Sequence, residues 1–301
     1  MLPDHLVEYL DSIPSLHEVT KCELLRKWTL SEVYRITLQS GSTLILKWGG
    51  QEMAGEADIY RKLITPLQIH APRIYHVVEQ QQGSLMVMED CGSYNLEQQP
   101  SANQFLQAAS ELARIRATAS LNLNDIPTSV IRSYTVSASE FLSLLDKLLQ
   151  SQHLAGNSTL KQLRIHLPDQ LDKLYRTIPM TIVHHDYHAK NLVIQDNRVM
   201  PIDWSSSYLS PHLGDLYCLT TEASALSQVT REEIIAAYQH ELGQHTSMEQ
   251  LGWQVDIGGI CWLIKTLAWL VDGGTSIIPG SEDWIPDLMK DMEQLAQNMN
   301  L

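Results

Sequence analysis

A polar loop between apolar segments, within residues 181–204, holds the residues best suited to catalysis. The segment reads TIVHHDYHAKNLVIQDNRVMPIDW. Asp186 and Asn191 lie in the loop, and Asp203 follows the last apolar run. An aspartate can accept or orient a hydroxyl proton, while a carboxylate and a side-chain amide supply the oxygen ligands that Mg²⁺ prefers. The spacing therefore predicts a site that binds a hydroxyl and a hard divalent cation together.

Three short strands are expected to position these side chains. The apolar, β-branched runs at 181–183, 192–194 and 199–202 are typical of strands, and a hairpin-like turn at 195–198 joins the last two. We expect the three runs to bring the polar residues towards one rim.

The same loop also permits a different metal site, because imidazole and carboxylate groups bind zinc. Its histidines are His184, His185 and His188. A zinc cluster would make the protein a metal-dependent hydrolase. That alternative leaves Asn191 and Asp203 without a role, and the sequence has no convincing second ligand cluster.

Composition and charge limit the class of protein. The chain has 301 residues, enough for one large domain or two lobes, and its 44% hydrophobic and 19% charged residues are typical of a globular protein. Lys and Arg number 21 against 35 Asp and Glu, which gives a formal net charge of −14. Such a surface repels phosphate backbones, so we expect no nucleic-acid partner. It favours a cationic small molecule.

We also expect a cytoplasmic protein without a membrane partner, and the oligomeric state is left open. The four scattered cysteines contain no CxxC pair, which is typical of reduced thiols. The N-terminal segment lacks the apolar stretch of a signal peptide. The longest apolar run, residues 257–271, is short for a membrane span and contains Lys265.

The order of elements changes character at Glu89. Before it, the pattern predicts antiparallel strands and one helix; after it, helical periodicity dominates. The predicted strands are 27–30, 33–38, 43–48, 74–78 and 85–88, with Gly49 and Gly50 ending the third and a helix at 52–63. The predicted later helices are 104–119, 137–149, 160–178 interrupted at Pro168, 215–226, 231–242, 248–271 and 286–299. The fold class is therefore α+β, with a sheet-rich lobe at residues 1–89 and a mainly helical lobe at 90–301.

Residues 184–191, with 202–204, resemble the catalytic loop and metal-binding strand of the aminoglycoside phosphotransferase and choline kinase superfamily. The pattern of that superfamily reads His-Gly-Asp-Leu-His-x-x-Asn, and here it reads HHDYHAKN. The resemblance covers nearly the whole chain in element order. It implies a bilobal protein-kinase-like fold, with a small antiparallel-sheet N-lobe that has one helix and a larger helical C-lobe.

The resemblance also implies roles for residues of the large lobe. Asp186 corresponds to the catalytic base, while Asn191 and Asp203 correspond to the magnesium ligands. His184 would hold the loop by local hydrogen bonds, and Asp215 would brace it through its backbone.

In the small lobe, the resemblance makes Lys47 the lysine that contacts the nucleotide phosphates. Glu56, from the following helix, would hold its ammonium group, with Glu52 as a competing partner. Met88 and Glu89 fall in the hinge segment where an adenine meets main-chain groups. The implied cofactors are ATP, with GTP not excluded, and Mg²⁺.

The segment expected to cover the phosphates, residues 30–33, contains no glycine. Ser31 could donate a hydrogen bond to phosphate, whereas Glu32 would repel it unless turned outward. This departure favours, as an alternative, a kinase-fold protein that binds nucleotide or a partner without turnover.

The main hypothesis is a phosphotransferase that acts on a hydroxyl of a small molecule, such as an antibiotic, a choline-like alcohol or a sugar. Four late tryptophans could cage an ammonium group or simply pack between helices.

Overall fold

The structure, a computed structural model, describes residues 2–28, 31–50, 55–80, 83–195, 198–243 and 246–301, except for the side chain of Leu10. Its N-terminal part is an antiparallel sheet of five strands in the order β1-β2-β3-β5-β4. The strands are β1 (Val19–Lys27), β2 (Ser31–Leu38), β3 (Thr43–Gly50), β4 (Ile74–Gln80) and β5 (Gly83–Glu89). Helix α1 (Asp4–Val7) precedes the sheet, and helix α2 (Gly55–Ile59) connects β3 to β4.

The two faces of this sheet have different surroundings because side chains alternate along each strand. On one face, Tyr34 and Ile36 of β2 are buried against the N-terminal segment, which contributes Leu6 and Tyr9. On the other face, Val33 and its neighbours open onto a cleft. The sheet therefore has one face for stability and one face for a ligand.

The C-terminal part is mainly helical. Its helices are α3 (Ala102–Asn122), α4 (Thr128–Tyr134), α5 (Ala138–Gln150), α6 (Ser158–Thr177), α7 (Gly214–Ser227), α8 (Arg231–Leu242), α9 (Met248–Trp269), α10 (Thr275–Ile277) and α11 (Ile285–Asn298). Two small antiparallel pairs lie among them, β6 (Ile182–Val183) with β9 (Tyr208–Leu209) and β7 (Leu192–Gln195) with β8 (Arg198–Pro201). Buried leucines and isoleucines of α5, α6 and α9 form the largest core.

The α+β bilobal kinase-like fold predicted from the sequence is confirmed. The last strand of the large sheet ends at Glu89, and the next helix begins at Ala102. The division into lobes of residues 1–89 and 90–301 stays a prediction.

Residues 182–183 form β6, which pairs with β9, while β7 and β8 pair with each other. The predicted position of the first strand of the sheet was wrong. The first strand of the sheet ends at Lys27, where the Trp28 N–H donates to the Ser31 carbonyl at 2.8 Å. Residues 29 and 30, part of the predicted strand, lie outside the described residues.

The glycines at 49 and 50 do not end β3, because they remain paired with β5 as far as Gly83. A Cβ at Gly83, whose φ is +155°, would collide with the Gly49 carbonyl. The close pairing at this end of β3 therefore depends on the glycine at position 83.

Helix α6 is also continuous through Pro168, against the predicted interruption. Its apolar face is fully buried, and this packing compensates for the backbone hydrogen bond that proline cannot make. The buried residues are Leu160, Leu163, Leu167, Leu171 and Leu174.

Within the described residues, one helical stretch, Met248–Ile277, is long and apolar enough to cross a membrane by length and composition. Of its apolar window, 67% is buried inside the protein. A core helix passes the same test, so the stretch is weak evidence for a span.

Candidate active site

The N-terminal turn of α7 holds the loop between β6 and β7. Both carboxylate oxygens of Asp215 accept backbone N–H groups of the loop, from His184 at 2.7 Å and from His185 at 2.8 Å. Asp215 is almost fully buried, and this burial raises the pKa of its carboxyl group. The residue predicted to brace the loop therefore lies where it contacts the loop backbone.

His184 fixes the conformation of the same loop from its side chain. Its Nε2 lies 3.0 Å from the Ile202 carbonyl oxygen, and its Nδ1 accepts the Asp186 N–H at 3.3 Å. These partners require a proton on Nε2 and none on Nδ1. Burial lowers the pKa of His184, which favours this neutral form.

Asp186 and Asn191 form the polar end of the loop. The Asn191 amide nitrogen donates to Asp186 Oδ2 at 2.7 Å and to the Asp186 carbonyl at 3.0 Å. The amide oxygen of Asn191 is thereby directed away from the aspartate and is left to face a cation. On the other side, Lys190 Nζ lies 3.3 Å from Asp186 Oδ1.

Lys47 joins the two lobes at the base of the cleft. Its Nζ lies 2.5 Å from Glu56 Oε2 and 2.9 Å from Asp203 Oδ1. Glu56 in turn accepts the Trp204 N–H at 3.2 Å, so the glutamate of α2 also contacts the C-lobe. Glu52, the competing partner predicted for Lys47, lies outside the described residues.

The ionisation of this trio follows from burial and proximity. Burial alone would lower the pKa of Lys47, but the charges of Asp203 and Glu56 outweigh it and raise the pKa above its ordinary value. Burial would likewise raise the pKa of Asp203, but Lys47 and the Ser205 hydroxyl hold it well below its usual range. Asp203 is therefore anionic at neutral pH and can serve a metal ion.

A cleft of about 480 Å³ lies between the lobes above these groups. Its apolar roof comes from β1 to β3 and its floor from β7 and the residue that follows β8, while the hinge residues close its back. The lining residues that bear on the predictions are Val33, Ile45, Met88, Glu89, Val193 and Ile202, with Lys47, Lys190, Asn191 and Asp203 at the polar end. A flat slot with a charged end suits a nucleobase and its phosphates.

The expected phosphate-covering loop is placed differently from the prediction. Ser31 and Glu32 belong to β2, with Ser31 opposite Gly49 and Glu32 opposite Trp48. The side chain of Glu32 is buried on the sheet face that lies away from the cleft. There it pairs with Lys27 at 2.6 Å and His5 at 2.9 Å. The expected repulsion between Glu32 and phosphate is therefore not a feature of this site.

The zinc hypothesis fails on geometry, because the three histidines of the loop face different partners. His184 contacts the Ile202 carbonyl, His185 packs between the rings of Tyr208 and Trp262, and His188 Nδ1 lies 2.9 Å from Glu222 Oε1. In the described parts of the chain, no group of three or more His, Cys, Asp or Glu side chains could hold a metal ion.

The residues present do fit magnesium. Asn191 and Asp203 offer one amide oxygen and one carboxylate, the hard donors that Mg²⁺ shares with phosphate and water. A backbone hydrogen bond links the segments that carry these two residues, since the Ile202 N–H donates to the Asn191 carbonyl at 2.9 Å.

Sequence reasoning missed two supports of the site. Glu222 accepts the Ala189 N–H at 2.5 Å as well as contacting His188, so it fixes the loop from α7. Its signal was its position seven residues after Asp215, two helical turns along the same face. The second is Arg35, whose guanidinium makes a bidentate pair with Asp90 at 2.6 and 2.9 Å and ties β2 to the hinge.

This arrangement of a sheet lobe, a helical lobe and an interlobe lysine paired with Glu56 and Asp203 is that of a protein-kinase-like fold. Residues 23–252 match the model of the Phosphotransferase enzyme family, and the chain belongs to that family. The superfamily resemblance proposed from the sequence is thereby confirmed. No curated protein matches the sequence.

Solved structures show the same fold at low identity. A choline/ethanolamine kinase family protein from Mesorhizobium loti has a TM-score of 0.70 at 16% identity, covering 99% of this chain and 95% of that chain. Wild-type aminoglycoside 2'-phosphotransferase-IIIa in its GDP complex has a TM-score of 0.66 at 12% identity, covering 98% of both chains. ADP-bound aminoglycoside phosphotransferase APH(2'')-Ib has a TM-score of 0.61 at 17% identity, covering 98% of this chain and 97% of that chain.

Proposed function

We propose that the protein transfers the γ-phosphoryl group of ATP to a hydroxyl of a small molecule in a Mg²⁺-dependent reaction. The observation that carries this proposal is the Lys47 ammonium, held between Glu56 and Asp203 at the charged end of an apolar slot. Asp186 lies at the same end, hydrogen-bonded to Asn191. Structures of the same fold include GDP and ADP complexes, which supports a nucleotide in this slot. GTP remains an alternative donor.

In the proposed reaction, the acceptor oxygen forms a bond to the γ-phosphorus while the bond from that phosphorus to the β,γ-bridging oxygen breaks. Asp186 orients the hydroxyl and takes its proton, so the products are a phosphate ester and ADP. Lys47 binds phosphate oxygens of the donor and offsets their charge. A magnesium ion, when bound, neutralises charge on the phosphate oxygens, and Asn191 and Asp203 would hold it.

The support around these groups explains how they would stay aligned. Asp186 is fixed by Asn191 and by the backbone contacts of His184, and the loop itself rests on Asp215. Lys47 cannot swing away from the cleft without breaking its pair with Glu56. Alignment of this kind lowers the entropic part of a transfer barrier.

A second candidate is a nucleotide-binding protein that does not turn over, since the segment before β2 offers no glycine for close contact with phosphates. The main reason to consider this candidate was the charge of Glu32 beside the phosphates. That reason is weaker because the Glu32 side chain lies on the far face of the sheet.

Measurement of ADP release with a panel of cationic, neutral and anionic alcohols tests the proposal. We expect Mg²⁺-dependent turnover, with kcat lowered by at least about 10²-fold in Asp186→Asn because the proton acceptor is lost. Asp186→Asn should still bind Mg²⁺-nucleotide, whereas Asp203→Asn should lose the Mg²⁺ dependence of nucleotide binding.

Asp272→Asn serves as the matched control, because Asp272 is an exposed carboxylate paired with Lys147 at 3.2 Å. It should behave as the wild type. Nucleotide binding without ADP release from any acceptor would favour the second candidate. Turnover that survives in Asp186→Asn would contradict the assigned proton acceptor.

A further inference from the structure

The charged groups next to the Asp186 loop do not suit a cationic acceptor. Asp215 uses both carboxylate oxygens on backbone N–H groups, and Glu222 uses both on His188 and the Ala189 N–H. Neither carboxylate is left to receive an ammonium group. The acids around the loop are therefore already satisfied, and Asp186 itself pairs with Asn191 and Lys190.

Two acidic residues late in the chain are paired as well. Asp256 Oδ1 lies 2.7 Å from Arg231, and Asp272 Oδ2 lies 3.2 Å from Lys147. Two of the late tryptophans already have other partners: Trp253 is covered by Lys173, and Trp262 donates its indole N–H to the His185 carbonyl.

One cationic side chain in this region, in contrast to these paired acids, has no ionic partner among the described residues. Lys265 of α9 is half-buried, and no carboxylate oxygen of the described residues lies within 4.0 Å of its Nζ. The contact it does make is with the ring of Tyr208, whose centre lies 5.0 Å from Nζ. Burial lowers the pKa of Lys265, which is what a cation without an ionic partner experiences. Such a group gains free energy from an anionic ligand.

The position of Lys265 connects it to the predicted proton acceptor. The Tyr208 ring beneath Lys265 lies 5.5 Å from the ring of His185, which directly precedes Asp186 in the loop. The Nδ1 atom of His185 is buried and has no hydrogen-bond partner. Trp262, one helical turn before Lys265 on α9, contacts the rings of both His185 and His188. An unpaired ammonium group and an imidazole with an unpartnered nitrogen thus both lie against the ring of Tyr208, next to the loop.

We propose that Lys265, with His185, binds an anionic group, a carboxylate or a phosphate, on the alcohol that the enzyme phosphorylates. The inference rests on the proposed phosphotransfer and names the acceptor class for it. It reverses the expectation of a cationic acceptor that the net charge suggested. The acceptor is therefore an acid that carries a hydroxyl group.

The test compares alcohols of one carbon skeleton that carry a carboxylate, a phosphate monoester, a carboxamide or an amine. We expect the wild type to prefer the carboxylate or the phosphate over the carboxamide by at least about tenfold in kcat/KM, since only the anions add a charge–charge attraction to the hydrogen bond from Lys265. Lys265→Gln should remove this preference and leave kcat/KM for the carboxamide within about twofold of the wild type. The carboxylate and phosphate arms distinguish the two sources of negative charge.

Lys173→Gln is the matched control, because Lys173 also lies over an aromatic ring, with its Nζ 4.1 Å from the ring centre of Trp253. It should keep the preference for anions. Thermal unfolding of both variants reports on folding. If the wild type prefers the amine, or if Lys265→Gln lowers kcat/KM equally for all four alcohols, Lys265 has a structural role and the proposal fails.

Binding measurements separate this proposal from the phosphotransfer itself. Calorimetry with Mg²⁺ and ADP present would measure the affinity of the carboxylate alcohol for the wild type and for Lys265→Gln. Anion binding that depends on Lys265 without any ADP release would support the anion site and contradict the phosphotransfer. ADP release without a preference for anionic alcohols would support the phosphotransfer and contradict the anion site.

Discussion

Two residues beside the cleft adopt the left-handed backbone region that favours glycine. His185 has a φ of 70° and Asp203 a φ of 64°. A conformation of this kind costs a non-glycine residue about 1–2 kcal/mol. At His185, Asp215 accepts the N–H and the Trp262 indole donates to the carbonyl, so packed neighbours hold the conformation. The superfamily pattern has glycine at this position, and the histidine here adds a ring that reaches Tyr208.

The pair of His188 and Glu222 makes the stability of this loop depend on pH. Burial would lower the pKa of His188, but the hydrogen bond to Glu222 and the charges of Asp186 and Glu222 raise it above its ordinary value. A histidine with a raised pKa contributes stability that is complete below the pKa of the unfolded chain and is lost as pH rises through the folded pKa. We expect Glu222→Gln to lower the free energy of unfolding more at about pH 5.5 than at about pH 8.5. Chemical denaturation at both pH values measures this difference.

Glutamine keeps an oxygen for the Ala189 N–H, so the variant removes the charge and spares the backbone contact. Glu241→Gln is the control, because its partner Arg114 is a guanidinium rather than an imidazole. Its effect should be the same at both pH values. An equal effect of Glu222→Gln at both pH values would show that protonated His188 does not stabilise the loop.

At the scale of elements, α9 and α7 set the position of the catalytic loop through their close approach. A Cβ at Gly258 of α9 would lie 2.5 Å from the Leu213 carbonyl carbon and 2.7 Å from the Gly214 nitrogen. These atoms begin the turn that carries Asp215, which in turn holds the loop. The two helices can therefore approach only because glycine occupies position 258.

Gly258→Ala should destabilise the protein by about 1–3 kcal/mol, since neither backbone segment can yield without strain. It should also lower kcat, because a shift of α7 moves the loop that bears Asp186. Gly252→Ala, on the same helix, meets nothing within 4 Å and should instead stabilise by about 0.5–1 kcal/mol. Thermal unfolding and ADP release measure both variants. Equal effects of the two substitutions would refute the close approach as the determinant.

Elements with local signals could be predicted from the sequence, and elements defined by distant partners could not. Helix α8 was predicted at its observed bounds because Thr230 and Glu233 form a capping box at one end and Gly243 ends it at a φ of 60°. Strand β1 was misplaced because it is exposed along most of its length and depends on its pairing with β2.

The site shows the same limit. The motif from Asp186 to Asn191 could be found from types and spacing alone. The contact of Lys265 with Tyr208 could not, because Lys265 lies on a helix far along the chain from the loop. Glu222 carried only the signal of its spacing from Asp215 on α7.

At the scale of the whole molecule, the net charge and the local charges point to different ligands. The chain carries a formal net charge of −14, yet Lys265 and Lys190 face the surroundings of Asp186. The field of the whole protein acts over the distance set by salt, whereas a half-buried pair is screened much less. The long-range field of the protein therefore opposes the binding of an anionic alcohol, and binding depends on short-range contacts.

This separation predicts the salt dependence of turnover with an anionic alcohol. Raising the ionic strength from 0.01 M to 0.15 M shortens the Debye length from about 30 Å to about 8 Å. At saturating Mg²⁺-nucleotide, we expect kcat/KM for the carboxylate alcohol to rise by about twofold or more, because screening removes the repulsion from the distant acids. Lys265→Gln should show the same trend at a lower kcat/KM, since it removes the local positive charge and leaves the repulsion from the distant acids in place. If kcat/KM of the wild type for the carboxylate alcohol instead fell steeply with ionic strength, the local cations would attract the acceptor over a long range. The net charge would then not oppose binding.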